Sequence, residues 1–67
     1  MKVKTLWNAM MYNDIDEVEL YFKNGQLASK MSPDTLLDCY GDFRVYKFNI
    51  HENIFDGWKT LELVFAW

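Results

Sequence analysis

Residues 17–31, EVELYFKNGQLASKM, constrain the fold more than any other stretch. Two alternating runs flank Asn24-Gly25. An Asn-Gly pair in that setting is the strongest short-range hairpin signal, because a two-residue type I′ turn needs positive φ at both central positions. With Lys23 and Gln26 closing the turn, Phe22 is expected opposite Leu27, Tyr21 opposite Ala28, Leu20 opposite Ser29, Glu19 opposite Lys30 and Val18 opposite Met31. Val18, Leu20, Phe22, Leu27 and Met31 then share a face for burial, with Ser29 among them. Glu17, Glu19, Tyr21, Lys23 and Lys30 share the other. A slip of one residue would turn the apolar set into water, so the alternation selects this register.

The flanking segments supply partners for that hairpin. In VKTLWNAMMYN, Val3, Leu6, Trp7, Met10 and Met11 fall at helical spacing, and Asn13 and Asp14 offer a stop. VKTLW alternates as a strand would, and the helix accounts for more of the apolar positions. NDIDE, Asn13 to Glu17, then reads as a polar turn with Ile15 as its single apolar anchor. In SPDTLLDCYGD, Ser32 suits an N-cap, Pro33 the first helical position and Asp34 the positive end of the helix dipole. Leu36, Leu37 and Tyr40 give the apolar side, Cys39 a small core residue, and Gly41 a left-handed residue past the helix end.

FRVYKFNIH alternates again, with Tyr46, Phe48 and Ile50 against Phe43, Val45, Lys47 and Asn49. WKTLELVFAW sets Leu61, Leu63, Phe65 and Trp67 against Thr60, Glu62, Val64 and Ala66, and the Asp56-Gly57 turn signal joins the two runs. The expected fold is one α+β domain over residues 1–67, ordered α-β-β-α-β-β. One antiparallel four-stranded sheet carries two short helices on one face, and the last strand is expected at a sheet edge.

Several function classes lose support at this level. Asp14, Asp16 and Glu17 lack the further carboxylates and turning glycine of a calcium loop. Cys39 is the only cysteine and His51 the only histidine, so no disulfide, zinc spacing or paired acid and base is present. A lone thiol fits a reducing cytosol. Gly25, Gly41 and Gly57 are isolated at turns, not gathered in a phosphate-cradling loop. No apolar run reaches the roughly 18 residues of a membrane span, and the N-terminus has no secretory pattern. Tyr21, Phe43 and Tyr46 are the candidates for stacking nucleic-acid bases. Glu17, Glu19 and Glu62 lie among them, and a net charge of −3 works against phosphate binding. The expected protein is not an enzyme, holds no cofactor and binds another protein or a second copy of itself.

The remaining clue is a surplus of aromatic residues, 18% of the chain. A domain this short draws only roughly 3–5 kcal/mol from its own core, so aromatic groups set outside that core need a reason. Phe43, Val45, Val64 and Ala66 fall on the face opposite the expected core, and Ile54, Phe55 and Trp58 join them from the last loop. An apolar patch rimmed by charge points to a protein interface, unless the first helix or a loop covers it, and the two readings have equal support in the sequence. Asp14, Asp16, Glu17 and Glu19 are the candidate contacts for Lys and Arg on a partner, and Tyr21 is a further candidate contact.

The order of these features resembles that of small proteins of bacteriophages and mobile elements in low-GC Gram-positive bacteria. The matching residues are Val3 with Leu6 in the first helix, Asp14 to Asp16 as the acidic turn, Glu17-Val18-Glu19-Leu20 as the strand, and Asn24-Gly25 at its end. Inhibitors of bacterial immunity, anti-CRISPR proteins among them, share this build. The resemblance implies a non-enzymatic inhibitor acting by occlusion and brings no active site with it.

Overall fold

A computed structural model describes residues 1–10 and 14–66. The expectations for Met11, Asn13 and Trp67 lie outside the described residues. The element order is α1 (Val3–Ala9), β1 (Glu17–Tyr21), β2 (Leu27–Met31), α2 (Pro33–Tyr40), β3 (Val45–Glu52) and β4 (Lys59–Phe65), which is the expected α-β-β-α-β-β sequence.

The sheet order is β2-β1-β4-β3. Each hairpin is antiparallel, but β1 and β4 run parallel at the centre, so the sheet is mixed and not wholly antiparallel. The expectation of β4 at an edge is therefore corrected. β4 is internal, bonded to β1 on one side and β3 on the other, and β2 and β3 form the edges. This placement follows from burial. Leu61, Leu63 and Phe65 are the most apolar alternating set in the chain, and the central position covers them most completely.

Val18, Leu20, Leu61, Leu63 and Phe65 meet Val3, Leu6 and Met10 of the first helical segment and Leu36 of α2 in one core. α1 lacks a side-chain cap, and its opening amides find partners elsewhere. Val3 N–H donates to the Phe43 carbonyl at 2.9 Å and Lys4 N–H to the Gly41 carbonyl at 2.9 Å. α2 begins as expected, with Pro33 after Ser32, whose Oγ accepts the Thr35 amide at 3.3 Å.

Gly41 departs from expectation. Its φ of −55° is right-handed, and a Cβ there would lie 2.8 Å from the Leu37 carbonyl oxygen. Close backbone approach, not left-handed geometry, favours glycine. Cys39 is exposed and not a core residue, because α2 turns Leu36 inward and leaves Cys39 on its outer side.

The first hairpin departs in its turn. Phe22 N–H donates to the Gln26 carbonyl at 2.9 Å and Gly25 N–H to the Phe22 carbonyl at 3.0 Å. This is a three-residue loop, Lys23-Asn24-Gly25, in which only Gly25 takes positive φ, at 89°. The type I′ turn is thus replaced by a loop one residue longer, of the kind that ends in a left-handed glycine. A bulge between Leu20 and Tyr21 absorbs the extra residue, placing Tyr21 opposite Leu27 while Leu20–Ser29, Glu19–Lys30 and Val18–Met31 pair as expected. Phe22 and Leu27 lie beyond the bulge, 40% and 46% exposed, and their expected burial is corrected.

A second bulge changes the faces of β3. Val45 pairs with Phe65 and Lys47 with Val64, leaving Tyr46 as the extra residue. Val45 thereby turns to the helix side and packs against the core. Phe43 also lies on that side, its ring 5.1 Å from Tyr40 and 5.4 Å from Phe65. The apolar patch expected on the helix-free face therefore does not form. Of its β-strand members only Val64 stands there, between Tyr21 and Lys47.

Candidate protein-binding site

The helix-free face is a polar ladder. Adjacent strands set Tyr21, Val64 and Lys47 in one row, Glu19, Glu62 and Asn49 in the next, and Glu17, Thr60 and His51 in a third. The middle row is internally satisfied. Tyr21 Oη donates to Glu19 Oε1 at 2.8 Å, Lys30 Nζ lies 3.4 Å from Glu19 Oε2, and Asn49 Nδ2 donates to Glu62 Oε1 at 3.1 Å. The hydrogen bond to Glu19, burial, and the Glu19 and Glu62 charges together raise the Tyr21 pKa above its ordinary value. Of the three aromatics considered for base stacking, Tyr21 is held by Glu19, Phe43 lies on the opposite side, and Tyr46 has Lys23 Nζ 4.9 Å from its ring centroid. No stacking platform is assembled from them.

The parallel pairing of β1 and β4 has a stronger consequence. It places the start of β1 beside the start of β4, and hence beside the β3–β4 loop. Asp16 fixes that junction. Its N–H donates to the Lys59 carbonyl at 2.9 Å and its Oδ2 accepts the Lys59 N–H at 2.8 Å. Two candidate sets that are 40 residues apart in the chain, the acidic connector and the apolar loop, therefore share one end of the sheet. Asp14, Asp16, Glu17, Asp34, Glu52 and Asp56 all fall at this end, with Lys59 as its nearby cation. Lys2, Lys4, Lys23, Arg44 and Lys47 fall toward the other, where Asp42 pairs with Lys4 at 2.9 Å. Lys4, through its hydrogen bond and charge, and then Lys2 hold the Asp42 carboxyl below the usual range. The molecule is electrically polar along its strands.

The loop between β3 and β4 carries Ile54 and Phe55, which are 89% and 93% exposed, and Trp58, which is half-exposed. Its backbone is well tied. Asn53 N–H donates to the Trp58 carbonyl and Gly57 N–H to the Asn53 carbonyl, each at 2.8 Å. Asn53 Oδ1 accepts the Phe55 amide at 2.9 Å and Asp56 Oδ1 the Trp58 amide at 2.8 Å. Gly57, at φ 74°, closes the turn. Two Asx turns thus hold the tip in a defined shape while its largest side chains face water.

Phe55, Trp58, Asp14, Asp16 and Glu17 of the sequence-derived candidates thus come together at one end. Glu19, Tyr21 and Val64 lie on the ladder, and Phe43 and Val45 on the helix side. Ile54, the most exposed large apolar residue beside Phe55, stands out in the sequence only as part of the apolar set. Its signal was the Asn53 and Asp56 spacing that fixes the loop. Among the described residues no group of three His, Cys, Asp or Glu is placed to hold a metal, and no helix is long and apolar enough to cross a membrane. Comparison with known protein families, with curated proteins and with solved structures finds no match to this chain.

Proposed function

We propose that this chain is a non-enzymatic protein-binding module that docks through the β3–β4 loop. The observation that carries this reading is a pair of almost fully exposed large apolar residues, Ile54 and Phe55, on a loop fixed by its own hydrogen bonds. Exposed apolar groups in water are unfavourable, and a rigid tip loses little conformational entropy on docking. The surrounding carboxylates select the partner. An acidic rim repels an anionic bilayer surface and suits an apolar pocket bordered by Lys and Arg. Such borders are characteristic of proteins that handle nucleic acid. With the resemblance to phage-encoded inhibitors, this supports occlusion of a bacterial defence or nucleic-acid-handling protein as the mode of action.

The test is affinity capture from a bacterial lysate, with the protein carrying Ile54→Asp and Phe55→Asp beside wild type and a Lys23→Ser control at the opposite end. Wild type and control are expected to retain the same stoichiometric protein, and the tip variant to lose it. Asp14→Asn with Glu52→Gln is expected to slow association and flatten its salt dependence, with dissociation little changed. Equal capture by all forms, or no stoichiometric protein with any of them, contradicts the proposal.

A further inference from the structure

The outer side of β3 is a partly open sheet edge. Its beginning is closed by the chain itself, since Val45 N–H donates to the Met1 carbonyl at 2.8 Å and Lys2 bridges to Arg44. From Phe48 to Glu52 no strand among the described residues lies alongside. The direction of the peptide groups there follows from the ladder. The Asn53–Trp58 hydrogen bond identifies that pair as hydrogen-bonded. Bonded and non-bonded pairs alternate along an antiparallel ladder, so His51, Asn49 and Lys47 bond inward to β4. Phe48, Ile50 and Glu52 therefore direct both N–H and C=O outward.

Other features of an edge that resists pairing are weak here. There is no proline on β3, and the bulge lies at Tyr46, before the open segment. β2, the other edge, has only five residues and carries its own bulge. Phe48 is 45% exposed although it pairs with the fully buried Leu63, because it stands on an edge strand.

We infer that residues 47–51 of the β3 edge pair antiparallel with the same residues of a second copy, about a two-fold axis through Asn49 normal to the sheet. In that register Phe48 faces Ile50 of the second copy, and Ile50 faces Phe48, each pair exchanging both backbone hydrogen bonds. Both apolar pairs lie on the helix side and extend the two cores into each other. On the polar face Asn49 meets Asn49, and Lys47 meets His51. A second copy is favoured over an unrelated strand because these residues complement themselves at the only register that pairs Phe48 with Ile50 twice.

Disulfide trapping tests the register directly. Asn49 and its symmetry mate form a non-hydrogen-bonded pair, with Cα atoms expected about 4.5 Å apart, within disulfide reach. In a Cys39→Ser background, Asn49→Cys is expected to cross-link nearly completely in a glutathione redox buffer, and His51→Cys to remain monomeric. Sedimentation equilibrium of wild type from about 10 μM to about 1 mM is expected to show reversible dimers. Phe48→Lys is expected to weaken them at least about ten-fold. A monomeric wild type at the highest concentration overturns the inference. Dimers without Asn49→Cys cross-linking, or equal cross-linking of both cysteine variants, also overturn it.

Discussion

Asp16 and Lys59 hold each other twice, by the Asp16 N–H on the Lys59 carbonyl at 2.9 Å and the Lys59 N–H on Asp16 Oδ2 at 2.8 Å. This reciprocal pair ties the connector before β1 to the start of β4 and brings acidic residues next to the apolar loop. Asp16 therefore acts mainly as a structural clamp, and Asp14 and Glu52 are the freer carboxylates. Asp16→Ala is expected to cost about 1 kcal/mol by leaving the Lys59 amide without that acceptor. Thermal melts that superimpose on wild type would remove Asp16 from the account of the junction.

The α2 cap makes a second stability test. Ser32 Oγ accepts the Thr35 amide and lies 3.1 Å from Thr35 Oγ1. Ser32→Ala is expected to lower stability by about 1 kcal/mol, read as a lower denaturant midpoint with unchanged slope. An unchanged midpoint would mean that water replaces the cap without loss.

Tyr21 gives the molecule an alkaline-sensitive element. Its folded-state pKa is raised, first by the hydrogen bond to Glu19. The neutral phenol is thus favoured in the fold, and its contribution is complete below the unfolded value of about 10 and lost as pH rises through the folded value. Tyr21→Phe is expected to be about 1 kcal/mol less stable than wild type near pH 8. The gap should shrink as pH rises beyond the unfolded value of about 10. Paired melts below and above that value check this, and a gap that stays constant would contradict the assignment.

Much of the fold was legible because burial and local chemistry agreed. Val18 and Leu20 are 0% and 2% exposed, as their alternation required, and the Ser32-Pro33 start of α2 is where its punctuation put it. The errors came from single inserted residues. The extra loop residue before Gln26 and the bulge at Tyr46 each change which face a side chain takes, and neither leaves a signature in period-two patterning. Val45 moved from the helix-free face to the core side for that reason alone. The parallel β1–β4 contact was also hidden, because nothing local distinguishes a terminal strand at an edge from one inserted between two hairpins. The acidic connector and the apolar loop are therefore separate features in the sequence, and only the strand order joins them.

The central claim is that the end bearing Ile54 and Phe55 is the binding surface. Hydrogen exchange of the complex with the captured partner, compared with the free protein, measures it most directly. Slowed exchange is expected at residues 52–58 and 14–17, with the Lys23–Gly25 turn unchanged. Protection confined to that turn or to the α1–α2 side, with 52–58 exchanging as in the free protein, would contradict it.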